Sequence, residues 1–208
     1  MKTFVNQRKG NMPRLKTDSE LIIPDDILIA EYEYIATTAH DANEDRSRVA
    51  SFYFVSVGSI VAAILGTQFA KDNLKGVAIA FAILFWVLTL LGALTIAQLA
   101  RLRAAWHESI EAMNQIKDFY IKKFPDTEPA FKWRVRTIPP TDKPFSIANL
   151  IAVEVALLGA LTTAAAVYFI LFTLGEITLL SWIIITISFV IGAILQWSWY
   201  KHLLVDDR

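Results

Sequence analysis

The sequence predicts an all-α integral membrane protein with four transmembrane helices in two hairpins, the first hairpin extended by long cytoplasmic helices. Three observations lead there. Four apolar stretches, Val49 to Ala70, Gly76 to Ala100, Ile147 to Gly175 and Ile177 to Tyr200, hold one formal charge between them. Each reaches the roughly 20 residues that a helix needs to cross hydrocarbon. Helical periodicity also continues unbroken on the polar side of the first two stretches. Finally, Lys and Arg gather on one side of all four.

Composition agrees with this class. The 208 residues are 55 % hydrophobic, with a positive mean hydropathy of +0.44, which favours a bilayer over a large soluble core. The absence of cysteine excludes disulfides, thiol catalysis and cysteine-based zinc or iron–sulfur sites. The first apolar run begins only near residue 49, later than a cleaved signal peptide would place it.

Charge sets the expected orientation. Seven bases (Lys2, Arg8, Lys9, Arg14, Lys16, Arg46, Arg48) precede the first span, and nine lie from Arg101 to Lys143. The opposite side offers Lys71 and Lys75 in one loop and none from Leu174 to Thr178. The positive-inside rule then puts both termini and the middle segment in the cytoplasm. Aromatic belts point the same way: Phe52, Tyr53 and Phe54 at the inner end of span one, Trp197, Trp199 and Tyr200 at that of span four, and Trp182 at the outer face.

Residues 1–24 read as a polar tail. Pro24, Asp25 and Asp26 form a helix start, with acids where the N-terminal dipole favours them. Leu28, Tyr32, Ile35, Ala39, Ala42, Arg46 and Val49 then alternate at spacings of four and three, a heptad seam for packing along another helix. No Pro or Gly interrupts it, so the cytoplasmic helix should run directly into span one (about 49–70). After span two (about 76–100), Leu99, Leu102, Trp106, Ile110, Met113, Ile116 and Tyr120 form a matching stripe, which Pro125 stops. Residues 125–145 hold five of the seven prolines and read as a juxtamembrane linker rather than a helix. Residues 146–208 form the second hairpin, with spans at about 147–175 and 177–200, a tight turn at Gly175 to Thr178 and a short C-terminal tail.

Four groups of residues are candidates for function. Glu154 is the charge inside a span, a costly placement that marks an ion or proton pathway or else a structural pair with Gln196, Arg101 or Lys201. Small residues recur every fourth position at Gly58, Ala62 and Gly66 and at Ala156, Ala160 and Ala164, the pattern that lets helices approach closely within the chain or between copies. Asp41, Glu44 and Asp45 should lie level with Arg101, Arg103 and His107 and pair across the two cytoplasmic helices, each exposed pair worth about 0 to 1 kcal/mol. The run from Phe131 to Arg136 alternates apolar and basic residues. Trp133, Arg134 and Arg136 either meet the inner leaflet, together with the Trp197 and Trp199 belt, or cover the acidic helix as a strand.

Other chemistry finds less support. His40 with Glu44 and His107 with Glu111 are i, i+4 pairs, but the carboxylate-bundle pattern needs Glu three residues before His, where Thr37 and Ala104 stand. No metal, cofactor or catalytic residue is therefore expected, and no Ser–His–Asp set or phosphate loop suggests an enzyme. The basic run is short and flanked by acids, which argues against nucleic acid.

The stretches EYEYIATTAHDANEDRSRVASFYF (Glu31 to Phe54) and QLARLRAAWHESIEAMNQIKDFYIKKF (Gln98 to Phe124) resemble the SLATT-type small prokaryotic membrane proteins in architecture: a cytoplasmic helix, two spans and a returning helix. That resemblance implies a prokaryotic inner or plasma membrane and a pore-forming effector role in nucleotide-linked defence. The second hairpin and the lack of a sensor domain depart from the pattern, and no residue roles carry over. The expectation is a non-enzymatic, self-associating membrane protein that forms or gates an ion path. The alternative is a membrane-anchored scaffold or accessory subunit that recruits a cytoplasmic protein.

Overall fold

A proline at the first helical position and two acids in the first turn start α1, Pro24–Gly66, 43 residues long, as their fit to the helix dipole predicts. The computed structural model describes residues 24–66, 74–134 and 137–206. Among these the chain is all helical: α1, then α2 (Leu74–Lys123), a short 3₁₀ helix (Pro125–Ala130), α3 (Ile147–Leu174) and α4 (Leu179–Asp206). All four long helices are long and apolar enough to cross a membrane, which fits a membrane protein. The expected loop around Lys71, the N-terminal tail and Arg136 lie outside the described residues.

Helix length carries the first lesson. At 1.5 Å per residue, the 43 residues of α1 and 50 of α2 span about 65 and 75 Å, more than twice the roughly 30 Å of hydrocarbon. Both are continuous, as the unbroken periodicity predicts. Asp25 at the start of α1 lies 3.7 Å from Lys123 at the end of α2, and the two helices pack together. Along this contact Ala39, Ala42 and Arg46 are buried and Leu28, Tyr32, Ile35 and Val49 half-buried, as the seam requires. From α2, Leu99 and Met113 are buried.

The linker departs slightly from expectation: Pro125 starts a 3₁₀ turn rather than opening directly into a loop, because proline suits a first helical position. No strand forms at Phe131–Arg134. Phe145 has φ of 58°, a left-handed conformation costly for an aromatic residue, immediately before Ser146. The Ser146 hydroxyl accepts from the Asn149 N–H at 3.3 Å and so caps α3. Between α3 and α4, Thr178 and Ser181 exchange backbone-to-hydroxyl hydrogen bonds of 3.2 and 3.4 Å, a reciprocal cap that starts α4 after the tight turn.

Helices α2 and α3 form the centre. Helix α1 packs on α2 and only marginally on α3, while α4 packs on α3 and α2. Accordingly the apolar window of α3 is 39 % buried, against 17 % for α1 and for α4. The core gathers Tyr53, Phe85, Leu88, Ile96, Leu99, Ala152, Val155, Ala156 and Tyr200. Tyr53 and Tyr200 are thus interior residues, which corrects their assignment to an aromatic belt. Phe52, Trp182 and Trp199 remain exposed.

Candidate functional site: an outward carboxylate and an open helix face

Glu154 sits seven residues after Ile147, about 10 Å into α3. Helical geometry decides which way it points. Ala152, Val155, Ala156, Gly159 and Ala160 are buried, so the opposite face, Leu150, Glu154, Leu157 and Leu161, is turned outward and exposed. Its expected structural partners are absent: Gln196 is buried on the far side of α3, and no ion pair joins Glu154 to Arg101 or Lys201 among the described residues. Glu154 instead lines a shallow open groove with Phe54 of α1, Leu157, Leu158 and Leu161 of α3 and Phe189 of α4.

Phe54 is also the first member of a four-residue series that continues through Gly58, Ala62 and Gly66. This stripe is exposed, and a side chain added at Gly58 or Gly66 would meet nothing within 4 Å. Ala156, Ala160 and Ala164 are instead buried within the chain. The two small-residue patterns therefore serve opposite faces. The glycines that hold the bundle together are others, which spacing alone does not reveal. A Cβ at Gly92 would lie 2.6 Å from the Tyr53 hydroxyl and 3.5 Å from the Gly159 Cα, one at Gly159 would overlap the Gln196 amide, and one at Gly192 would lie 3.3 Å from the Ala160 Cα. A side chain at 92 or 159 would force the Tyr53 hydroxyl or the Gln196 amide to move.

Polar groups inside the bundle concentrate around these glycines. Thr162 and Thr163 hydroxyls each donate to the Gly159 carbonyl at 2.8 Å. The Thr89 hydroxyl lies 3.0 Å from that of Thr162 and 3.3 Å from that of Thr163. Hydroxyl contacts of this kind bind helices where lipid supplies no hydrophobic drive. A Thr–Thr pair and a Thr in α2 are ordinary residues in an apolar run, so the sequence carried no signal for them. Gln196 Oε1 remains buried without a hydrogen-bond partner.

The expected charge pairs between α1 and α2 do not form at the membrane-proximal end. Glu44 and Asp45 turn along their own helix to Arg48, both at 2.9 Å, because i, i+3 and i, i+4 neighbours are closer than a second helix. Asp41 and Arg101 are exposed, and His107 is half-buried. Arg103 is buried, donating from Nε to the Thr141 carbonyl at 3.0 Å and from Nη2 to the Pro140 carbonyl at 3.5 Å. Its guanidinium lies 4.5 Å from the Trp106 ring centre. Arg46, read from sequence as an ordinary seam residue, is also buried. Burial pushes its guanidinium below the ordinary range, and the nearby Arg103 pushes in the same direction. The ion pair that does join α1 and α2 among the described residues is Asp25 with Lys123.

Of the linker residues, Trp133 is exposed, whereas Arg134 pairs with Glu128 at 2.7 Å rather than standing free. Trp197 is half-buried under Lys201, whose Nζ lies 5.4 Å from the ring centre, and Trp199 is exposed. Among the described residues no three His, Asp or Glu side chains gather closely enough to hold a metal ion. No protein family, curated protein or solved structure matches the chain.

Proposed function

We propose that this is a non-enzymatic membrane protein that associates with copies of itself and forms or gates an ion-permeation path. The observation that carries the reading is Glu154: a carboxylate about 10 Å inside an apolar helix, facing out of the bundle. Facing hydrocarbon, such a charge costs a few kcal/mol at mid-span on insertion scales. In this reading a second copy laid over the groove takes Glu154 out of lipid, and the water of the permeation path between the copies hydrates it. The open Gly58, Ala62 and Gly66 stripe adjoins the same groove through Phe54 and lets a neighbouring helix approach closely.

In this reading α1 with α2 and α3 with α4 are the two hairpins, and both termini and the long ends of α1 and α2 are cytoplasmic, as the Lys and Arg distribution favours. The resemblance to SLATT-type proteins fits the same reading, a prokaryotic membrane effector. The test is ion flux from liposomes holding the full chain. Wild type should leak ions, and Glu154→Gln should change the rate or ion preference while assembly is retained. An impermeable wild type in a defined assembly would overturn the permeation reading.

A second reading has its own observation. Asp26, Glu31, Glu33 and Asp41 stand exposed on α1 without an ion pair among the described residues, beside exposed Ile29 and Tyr34. An acidic helix face with apolar anchors suits recruitment of a basic cytoplasmic partner, the scaffold or accessory role. Capture of a partner that depends on these acids, with no flux, would favour it.

A further inference from the structure

Arg46 from α1, Arg103 from α2 and Tyr200 from α4 converge where the apolar windows end. Arg46 and Arg103 are each 6 % exposed and Tyr200 is 1 % exposed. The three are near enough to act on one another electrostatically. Arginine keeps its proton in proteins, so two full positive charges sit together out of water. Neither guanidinium takes part in an ion pair among the described residues, and the nearby acids Glu44 and Asp45 are engaged by Arg48. Arg103 has carbonyl acceptors and the Trp106 ring. Arg46 has less: its Nε and Nη2 are buried with no hydrogen-bond partner.

Those two atoms share one edge of the guanidinium, the fork that grips two oxygens of an oxyanion side by side. Leaving them empty costs the full desolvation of a charged donor. The depth of the cluster narrows the ligand. Arg46 lies three residues before the apolar stretch that begins at Val49, Arg103 three residues after the one that ends at Ala100, and Tyr200 closes the fourth. That is the level of phosphate groups at a bilayer surface. We propose that Arg46, Arg103 and the Tyr200 hydroxyl form a binding site for one phosphate oxyanion, supplied as a phospholipid headgroup or as free phosphate. A cavity of about 350 Å³ is lined by Pro140 and Thr141, whose carbonyls accept from Arg103, together with Leu204, Glu108 and Glu111.

The experiment uses the full chain in neutral detergent, with heat unfolding and tryptophan fluorescence as readouts, since Trp106 reports on Arg103. The probes are phosphatidylglycerol in mixed micelles, the neutral detergent alone as the phosphate-free control, and inorganic phosphate at matched ionic strength. Phosphate at high concentration stabilises many proteins by exclusion from their surface, so the readout is the difference between wild type and Arg46→Met. Wild type should gain heat stability with phosphatidylglycerol, and Arg46→Met should bind it at least about tenfold more weakly. In the neutral detergent alone Arg46→Met should be as heat-stable as wild type or more so, because it removes an unmatched buried charge. A response to phosphatidylglycerol alone identifies the headgroup, to phosphate alone a soluble source, and to both a site open to either. Equal responses in wild type and Arg46→Met, or none in wild type, would overturn the proposal. If Arg46→Met does not fold, Arg46→Lys decides: it keeps the charge but loses the fork, so an unchanged response would count against the site.

Discussion

Helices α1 and α3 carry the same sequence signature, small residues at every fourth position, and use it in opposite ways. In α3, Ala156, Ala160 and Ala164 are buried, because α3 lies between α2 and α4. In α1, Gly58, Ala62 and Gly66 face outward, because α1 packs on α2 and hardly meets α3. The pattern specifies that a helix can approach closely. Which helix approaches is set by how many neighbours the fold provides. The chain satisfies the stripe of α3 internally and leaves that of α1 open, beside an outward carboxylate, which is the ground for the proposed association.

Substitutions can break this comparison, beginning with the interior. Gly92→Leu should have the largest effect, forcing a side chain into Tyr53 and Gly159, and should lower stability by about 1–3 kcal/mol or more, read as a lower unfolding temperature in detergent. Ala160→Leu should follow, since it separates α3 from Gly192. The same change on the open stripe, Gly58→Leu or Ala62→Leu, should leave the stability of the single chain within about 0.5 kcal/mol and weaken self-association instead, seen by cross-linking or sedimentation. If Ala62→Leu were as destabilising as Ala160→Leu, the two stripes would not differ as described. Glu154→Gln should leave unfolding temperature and assembly unchanged and alter ion flux. The smallest effect belongs to Arg48→Ala: its exposed pairs with Glu44 and Asp45 should be worth no more than about 1 kcal/mol, which chemical denaturation would measure.

Continuous helices were readable along the chain because each depends on local rules. Pro24 with two acids and Pro125 after Lys123 set the start of α1 and the end of α2 to within a residue or two, whereas the end of α1, expected near residue 70, falls at Gly66. The seam of α1 was likewise readable from spacing. Tertiary preference was not. Counting from the spans predicts Arg103 and Glu44 at matching depth, yet Glu44 has Arg48 one turn away and Arg103 has the Pro140 and Thr141 carbonyls. Depth along two helices does not reveal the rotation of either. Glu154 was recognisable as the charge within a span, but its outward direction follows from which face of α3 meets α2 and α4. Arg46 looked like one member of a seven-residue seam, and only the convergence of α1, α2 and α4 reveals it as a buried charge beside another.

The central claim is that the α1 and α3 outer face is covered by a second copy. Its most direct test is the oligomeric mass of the full chain in lipid nanodiscs, measured for wild type and for Gly58→Leu. The account predicts a defined oligomer for wild type and a shift toward monomer for the variant, with both equally folded. A wild type that is strictly monomeric across concentration, or an oligomer indifferent to Gly58→Leu and to Ala62→Leu, would contradict it.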